Sequence, residues 1–379
     1  MPMMARLCLR YTSPVNRSLA AKKLLVLACL LLVFPRISAG AVTKSAEEVW
    51  MGLEKLPPEE RQKRLIEGAK AEGEMVWYAN TGLENAANYI QAFKKSYPFI
   101  NAKFWRGKSR DVTEKFLTES RAGLYYADVF KTTSDLLPAA IERNLIGRYE
   151  SPIRASYPPH AKGALWSNMN YAFRVFGFNP RKIRREAAPK TWEELLQPRW
   201  RQEILFDESS LEEVVTFLAV WGRNKTIDYL GKLGDQKPLI RRGRDSTAQL
   251  LIAGEALLAV TIYAYNVEGL RAIGAPIDWV APELIPALIY PLTMVRYAPH
   301  PHAAALFYDF LLSDAGQQMI AKEGRVVANP DIEPIYPRMK ELRGLLGTSR
   351  VHLNTVEEAP KYNREGLKIF DEFLLKRKA

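Results

Sequence analysis

The sequence contains very little cysteine and histidine. Of its 379 residues, two are cysteines and four are histidines. Both cysteines, Cys8 and Cys29, lie within the first 41 residues, so the chain beyond them has no thiol for a disulfide, a thiolate metal site or a nucleophile. His300 and His302 flank a proline ahead of a helical run, a pattern typical of a helix start. We therefore predict neither a resident metal nor a cofactor.

Motifs that mark the common classes of enzyme are also missing. There is no nucleophile elbow (G-x-S-x-G), no zinc-protease motif (H-E-x-x-H), no phosphate-binding loop (G-x-x-x-x-G-K-[ST]) and no dinucleotide fingerprint (G-x-G-x-x-G). These absences favour a binding protein over an enzyme. The alternative from another class is an exported hydrolase that uses Asp207 or Glu208 with a neighbouring arginine.

The first 41 residues carry six basic residues and no acidic one around an apolar run, Leu24 to Phe34. That run is too short to span a bilayer, and Ala39-Gly40-Ala41 suits a signal peptidase. We predict a signal peptide, residues 1–41, cleaved near Ala41, and retention as a membrane anchor is the alternative. Cleavage removes six of the twelve net positive charges. The remaining mild excess suits an anionic ligand or an acidic membrane surface and does not indicate nucleic acid.

A chain of this length is too long for one ordinary core, which predicts two globular lobes. Strand-like and helix-like stretches alternate from "MVWYAN" onward, which predicts an α/β fold with mainly parallel sheets flanked by helices. The chain is expected to cross between lobes twice, which leaves a hinge and an interlobe cleft. The predicted divisions are residues 42–175 and 283–335 for the first lobe, 176–282 for the second, and 336–379 for a C-terminal helical segment.

The stretch "VTIYAYNVEGL", Val260 to Leu270, sets Tyr263 and Tyr265 two residues apart at the end of an apolar run. Alternate residues share one face of a strand, so two phenols on one strand can act together. Their hydroxyls, with the amide of Asn266, could bind a ligand. Burial of both rings in the wall of the sheet is the alternative.

Ligands of α/β sheets bind beyond the carboxyl ends of the strands, where helix amino termini present free N–H groups. Several polar residues follow predicted strands, and two arginines, one in each predicted lobe, could clamp an anionic group between them. Ordinary helix capping or solvation is the competing interpretation for each of these residues. The candidates at these positions are Thr81, Gly82, Arg106, Thr132, Thr133, Ser134, Asp207, Arg244 and Ser246.

Several stretches together resemble the bacterial extracellular solute-binding proteins of ATP-driven (ABC) importers, in particular the branch of type II periplasmic binding proteins that includes ferric-ion binders. The resemblance implies a two-lobed fold that closes on a small solute. In the ferric branch, two adjacent tyrosines bind the metal, whereas this chain has Tyr263-Ala264-Tyr265. Tyr265 is therefore a metal ligand only if ferric ion is the solute. The stretches, which span roughly residues 64–330, are "EGAKAEGEMVWYAN", "FLTESRAGLYYADVF", "KTWEELLQPRW", "AGEALLAV" and "APHPHAAALFYDFLLSDAGQQMIAKEGR".

We therefore predict a periplasmic or secreted, monomeric solute-binding protein that delivers a small polar or anionic solute, or an oxyanion-coordinated ferric ion, to the permease and ATPase of an ABC importer. The ligand alternatives are ferric ion, a phosphonate, a carboxylate, or a polyamine held by Asp207. A ligand sensor with the same fold is a further alternative. Lobe closure requires a ligand that contacts both lobes.

Overall fold

The computed structural model describes residues 45–208 and 210–375, with Arg244 and Asp245 described by their backbone alone. The predicted signal peptide, residues 1–41, lies outside the described residues. Strands and helices alternate along most of the chain, as the sequence predicts. The strands are β1 (Glu74–Ala79), β2 (Asn101–Arg106), β3 (Val129–Lys131), β4 (Ile146–Gly147), β5 (Ser167–Phe178), β6 (Ile204–Asp207), β7 (Leu239–Arg241), β8 (Leu258–Tyr263), β9 (Asp278–Val280), β10 (Ile285–Val295), β11 (Val326–Val327) and β12 (Val351–Asn354).

The α-helices cover both faces of these strands, and 3₁₀ turns connect several of them. Gly73, with φ of 68°, ends α2 in the left-handed conformation that glycine adopts without steric cost. The α-helices are α1 (Ala46–Glu54), α2 (Pro58–Glu72), α3 (Leu83–Ser96), α4 (Ser109–Arg121), α5 (Pro138–Ile141), α6 (Leu211–Trp221), α7 (Arg223–Asp235), α8 (Arg244–Ala253), α9 (Ala264–Ala272), α10 (Pro301–Leu312), α11 (Asp314–Ala321), α12 (Pro337–Gly344) and α13 (Ala359–Phe370).

The strands follow one path, in the order β2-β1-β3-β10-β5-β8-β6-β7. The long strand β5 joins its two halves: residues 167–173 pair with β10, and residues 174–178 pair with β8 and β9. We call the half containing β1 to β4 and β10 to β12 the first lobe, and the half containing β6 to β9 the second lobe. The chain passes from the first lobe to the second along β5 and returns between β9 and β10.

The chain crosses between the lobes a third time in its C-terminal region, for which the sequence analysis predicted only a helical segment. Strand β12 pairs in parallel with β10 in the first lobe, and α13 then packs on α6 in the second. Its sequence, "VHLN", alternates apolar and polar residues over only four positions, too few to be recognised as a strand from the pattern alone.

The buried apolar residues form two main clusters, one that fills the first lobe and continues into the second through β6, α8 and β8, and one confined to the second lobe and the C-terminal segment. In the first lobe, the rings of Trp77 and Phe307 lie edge to face, with centroids 5.4 Å apart. In the second lobe, Trp192 contacts Phe176 and Phe217 in the same manner, at 4.7 and 4.8 Å. Strands β5, β8 and β10 are buried along their whole length because helices cover both faces of the sheet. Within the described ranges, no helix combines the length and the apolar character that crossing a membrane requires.

Candidate ligand-binding cleft

A cavity of about 770 Å³ lies where the two lobes meet. Strands β1, β2 and β3 run parallel in the first lobe, and β6, β7 and β8 run parallel in the second. Residues that follow the carboxyl ends of all six strands line this cavity, which is the expected position of a ligand in parallel sheets. The tyrosines Tyr263 and Tyr290 from the long central strands complete its floor.

Four helices begin at this cavity without a side-chain cap. The residues at their N-cap positions line the cavity and make no capping hydrogen bond to the helix that follows. None of them is serine, threonine, aspartate or asparagine, the usual capping residues. Two of these helix amino termini come from each lobe, so the positive dipole ends of four helices face one space. The N-cap residues are Gly82 for α3, Lys108 for α4, Gly243 for α8 and Tyr263 for α9.

Lys131, the last residue of β3, is the central cation of the first-lobe wall. Its residue exposure is only 5%, its Nζ donates a hydrogen bond to Asn80 Oδ1 at 2.8 Å, and Nζ lies 4.8 Å from the centre of the Tyr290 ring. No carboxylate among the described side chains forms an ion pair with it. Burial, reinforced by the charge of Arg325 and opposed by that of Glu323, lowers the pKa of Lys131 to about 7.

Arg325 is the second largely buried cation of the cleft, and its environment differs. Its guanidinium lies 4.2 Å above the centre of the Tyr265 ring and 6.0 Å from that of Tyr290. Its Nε donates to Glu323 Oε2 at 2.8 Å, and the other carboxylate oxygen of Glu323 accepts a short hydrogen bond from the Tyr89 hydroxyl. The protein itself therefore supplies the counterion of Arg325 and two rings for cation–π contact.

The three tyrosines form one cluster rather than a row on one strand. Tyr263 ends β8, but Tyr265 is the second residue of α9, so the expectation that one strand carries both is wrong. The turn into the helix nevertheless stacks the two rings, with centroids 5.3 Å apart and planes 17° apart. The Tyr290 hydroxyl donates to the Tyr263 hydroxyl at 3.2 Å, and Arg174 lies 4.1 Å above the Tyr263 ring. Tyr263 and Tyr265 are thus packed against each other, and both line the cavity.

Thr81 contributes a polar group that has no hydrogen-bond partner among the residues described. Its Oγ1 is buried and makes no hydrogen bond in the structure, although the residue lines the cavity. The neighbouring Asn80 is fixed, because its amide donates to Ser109 Oγ at 2.8 Å and its Oδ1 accepts from Lys131. A buried hydroxyl without a partner costs stability, which a ligand acceptor or a water at this position would offset.

The structure brings most of the residues predicted from the sequence to this one cavity. They come from both lobes, although no single stretch of sequence contains more than three of them. Whether each contacts a ligand remains a prediction. The predicted residues that line the cavity are Thr81, Gly82, Arg106, Thr133, Ser246, Tyr263, Tyr265 and Asn266.

Three predicted residues lie away from the cavity wall, and these assignments are corrected here. Thr132 points to the opposite face of its strand from Lys131 and Thr133, and its Oγ1 lies 2.9 Å from that of Thr113. Ser134 lines a separate, smaller cavity next to α6 and α13. Asp207 is fully buried, and its Oδ2 accepts a hydrogen bond from the Gly243 N–H at 2.8 Å, which shapes the turn before α8. The side chain of Arg244 lies outside what the structure describes.

Sequence reasoning missed Lys131, Arg325 and Tyr290. Lys131 had a usable signal, because it precedes two selected threonines and strand alternation places it on the face of Thr133. Arg325 and Tyr290 had none, since each acts through residues distant in sequence. The described part of the chain contains no group of three or more histidine, cysteine, aspartate or glutamate residues that could hold a metal ion. His300 and His302 instead pair with Asp128 and Glu72 at the start of α10.

The two-lobed α/β architecture with a cleft at the strand ends is that of the type II periplasmic binding proteins. Residues 126–343 match the family model described as bacterial extracellular solute-binding protein, and the chain belongs to this family. It is therefore a solute-binding protein of the ABC importer type. No curated protein is significantly similar to it in sequence.

Solved structures with the same fold have been determined with different ligands bound. Iron-bound HitA from Pseudomonas aeruginosa superposes with a TM-score of 0.66 at 20% identity, over 79% of this chain and 99% of HitA. AfuA from Actinobacillus pleuropneumoniae, with fructose-6-phosphate bound, gives a TM-score of 0.67 at 22% identity, over 80% and 99%. The ferric binding protein from Campylobacter jejuni gives 0.68 at 18% identity, over 79% and 99%. At these identities the likeness establishes the fold and leaves the ligand open.

Proposed function

We propose that this protein binds a small organic anion, carrying a phosphate, phosphonate or carboxylate group, in the cleft between its lobes. It would then present the anion to the permease of an ABC importer and act without catalysis. The observation that carries this proposal is the convergence of four helix amino termini, none with a side-chain cap from its N-cap residue, on a buried lysine that forms no ion pair with any carboxylate the structure describes. An anion at this point would accept hydrogen bonds from backbone N–H groups at the helix amino termini, and its charge would pair with that of the lysine.

The charges of the first-lobe wall support a negatively charged ligand. The end of β2 and the first turn of α4 bring Arg106, Lys108 and Arg110 to the cavity beside Lys131, whereas Asp111 is the acidic residue of that turn. In the second lobe, Arg242 pairs with Glu208. In the first lobe, Arg325 pairs with Glu323 and is neutralised by it. The first-lobe wall thus carries the excess positive charge, and an anionic group bound there would be attracted by charge and by helix dipoles together.

The same geometry supports closure of the lobes around the solute. Helices α3 and α4 begin on the first-lobe side, and α8 and α9 begin on the second. An anion that contacts only one pair would leave the other pair unsatisfied, so the closed state gains hydrogen bonds that the open state lacks. The lobe limits given from the sequence, export with cleavage near Ala41, and a monomeric state form part of this proposal.

Ferric ion with a bridging oxyanion is the second candidate, because the hydroxyls of Tyr263 and Tyr290 lie 3.2 Å apart and Tyr265 stacks beside them. Two cations argue against it. Lys131 and Arg325 both lie within 6.0 Å of the Tyr290 ring, and a trivalent cation at the phenols would be repelled by both. The HitA structure has this fold with iron bound, whereas the AfuA structure has it with fructose-6-phosphate bound.

A thermal-shift panel on the purified protein tests this proposal. Methylphosphonate, acetate, ferric citrate, metal-free citrate and spermidine would each be added at matched ionic strength, and the unfolding midpoint would be measured. We expect methylphosphonate or acetate to raise the midpoint by mass action and spermidine to leave it unchanged. The Lys131→Met variant, which keeps the size of the side chain, should lose the response to the anions. Stabilisation by spermidine alone, or by ferric citrate but not by metal-free citrate, would contradict the anion proposal.

A further inference from the structure

The C-terminal segment, residues 359–375, forms part of the cleft wall. It lies beyond residues 126–343, the region that the family model matches. Helix α13 and the π-helical turn that follows it (Asp371–Leu375) pack on the second lobe. Four residues of this segment line the cavity: Leu367, Phe370, Asp371 and Leu375. An element outside the matched region therefore shapes the space in which the solute binds.

This segment is anchored firmly enough to act as a wall. Gly366 packs so closely on α6 that an added methyl group would meet Leu211 Cδ1 at 3.2 Å. Phe370, with its ring centre 6.0 Å from that of Phe206, and Leu374 belong to the core of the second lobe. Asn363 also donates a hydrogen bond to the backbone oxygen of Asp135 in the first lobe at 3.1 Å. The helix is thus held from both lobes.

The face that this segment turns to the cavity is apolar. Leu367 is 48% exposed and Leu375 is half-buried, and both line the cavity. Leu211 of α6 continues the surface. We call Leu211, Leu367, Phe370 and Leu375 the apolar wall. Water on this surface is unfavourable, and a solute that covers it gains binding free energy in proportion to the apolar area removed from water.

We propose that the solute is an amphiphilic anion, whose charged group binds at the first-lobe wall and whose apolar body of several carbon atoms covers the apolar wall. The inference rests on the proposed function, because the uncapped helix termini and Lys131 fix the position of the charged group. Asp371, the charged member of the C-terminal segment at the cavity, disfavours a second anionic group at that end. The favoured class is therefore a monoanionic or monophosphorylated compound with one aliphatic or aryl end.

A chain-length series of methylphosphonate, butylphosphonate and hexylphosphonate tests the inference by calorimetric titration of the full-length protein. Each methylene group that reaches the apolar wall should tighten binding roughly threefold to fourfold. Butylphosphonate should therefore bind at least about tenfold more tightly than methylphosphonate. In the Leu367→Ser variant, the ratio of the affinities for butylphosphonate and methylphosphonate should fall by at least about threefold.

Leu124→Ser is the matched control, because Leu124 is 43% exposed and does not line the cavity. Its chain-length preference should equal that of the unmodified protein, and the unfolding midpoints of both variants establish that they are folded. Equal affinity for all three phosphonates would overturn the inference and leave the proposed function standing. So would a preference that Leu367→Ser does not reduce. Failure of all three compounds, and of acetate, to bind would refute the proposed function and this inference with it.

Discussion

Lys131 and Arg325 face the same cleft and approach the same ring, that of Tyr290, yet the protein treats them differently. Arg325 has its own counterion, Glu323, and the Tyr265 ring beneath it. Lys131 contacts the amide oxygen of Asn80 and the ring of Tyr290 but pairs with no carboxylate among the described side chains. The comparison separates two uses of a buried charge. A paired cation holds the wall together, whereas an unpaired one destabilises the empty protein and is compensated when an anion binds.

Replacing Lys131 with methionine should have the largest effect on affinity. We expect the affinity for methylphosphonate to fall by about 3 kcal/mol, since a charge-assisted hydrogen bond is lost and the anion keeps no lysine partner. The free energy of unfolding of the empty protein should not fall, and removal of an unpaired buried amine should raise it. Titration calorimetry and denaturant unfolding measure the two quantities. Lys108→Met is the control on the exposed part of the same wall, and its affinity loss should be much smaller.

Replacing Arg325 with methionine should reverse this pattern. Loss of the guanidinium leaves Glu323 without its partner and removes the cation above Tyr265, so we expect the free energy of unfolding to fall by about 2 kcal/mol. Arg106→Met removes an exposed arginine at the same cavity and should change stability little. If Arg325→Met were as stable as the unmodified protein and Lys131→Met were the destabilised variant, the assignment of the two roles would be wrong.

A pH dependence should distinguish the two cations, because only the lysine titrates near neutrality. The pKa of Lys131 is about 7 in the folded empty protein and 10.5 when unperturbed. The unfolded chain therefore binds more protons between these values, and the contribution of Lys131 makes the empty protein more stable as pH rises through this window. Anion binding follows the opposite sign, because it requires the protonated amine. Affinity should be constant below pH 7 and should fall above it by up to about 1.4 kcal/mol per pH unit.

Sulfate, whose charge does not change over this range, is a suitable probe for the pH titration. The slope above neutrality should vanish in Lys131→Met and persist in Arg325→Met. An unchanged slope in Lys131→Met would assign the titration to another group.

The smallest effect is expected at the ring that Arg325 covers. Tyr265→Phe keeps the stacked ring and removes one hydroxyl, so the affinity for methylphosphonate should fall by about 1 kcal/mol if the hydroxyl contacts the anion. Tyr126→Phe, at a tyrosine 51% exposed that does not line the cavity, is the control. Unchanged affinity in the calorimetric titration of Tyr265→Phe would limit Tyr265 to a packing role beneath Arg325.

More of the fold than of the cleft could be predicted from the sequence. Apolar runs are local signals, and the stretch "MVWYAN" located β1 to within one residue at each end. Strand β12 escaped because it is short and is stabilised by pairing with β10, about sixty residues earlier in the chain. The strand propensity of a short segment does not reveal pairing with a strand so distant in the sequence.

Whether a predicted residue lines the cleft depends on the direction in which its side chain points, and residue type alone does not give this direction. Thr132 and Asp207 were predicted from their residue type. In the structure, strand alternation directs the Thr132 side chain toward Thr113, and Asp207 accepts a hydrogen bond from the backbone N–H of Gly243. Lys131 was passed over although its face could have been inferred from Thr133. Arg325 could not have been found in this way, because its significance comes from Tyr265, sixty residues away in the chain.

The most direct test of the central claim is the number of protons taken up when sulfate binds at about pH 8, measured by calorimetry in buffers of different ionisation enthalpy. At that pH most Lys131 amines are neutral in the empty protein, and the anion should draw them into the protonated form. The account predicts uptake of about one proton per bound sulfate in the unmodified protein and none in Lys131→Met. Binding without proton uptake in the unmodified protein would contradict it.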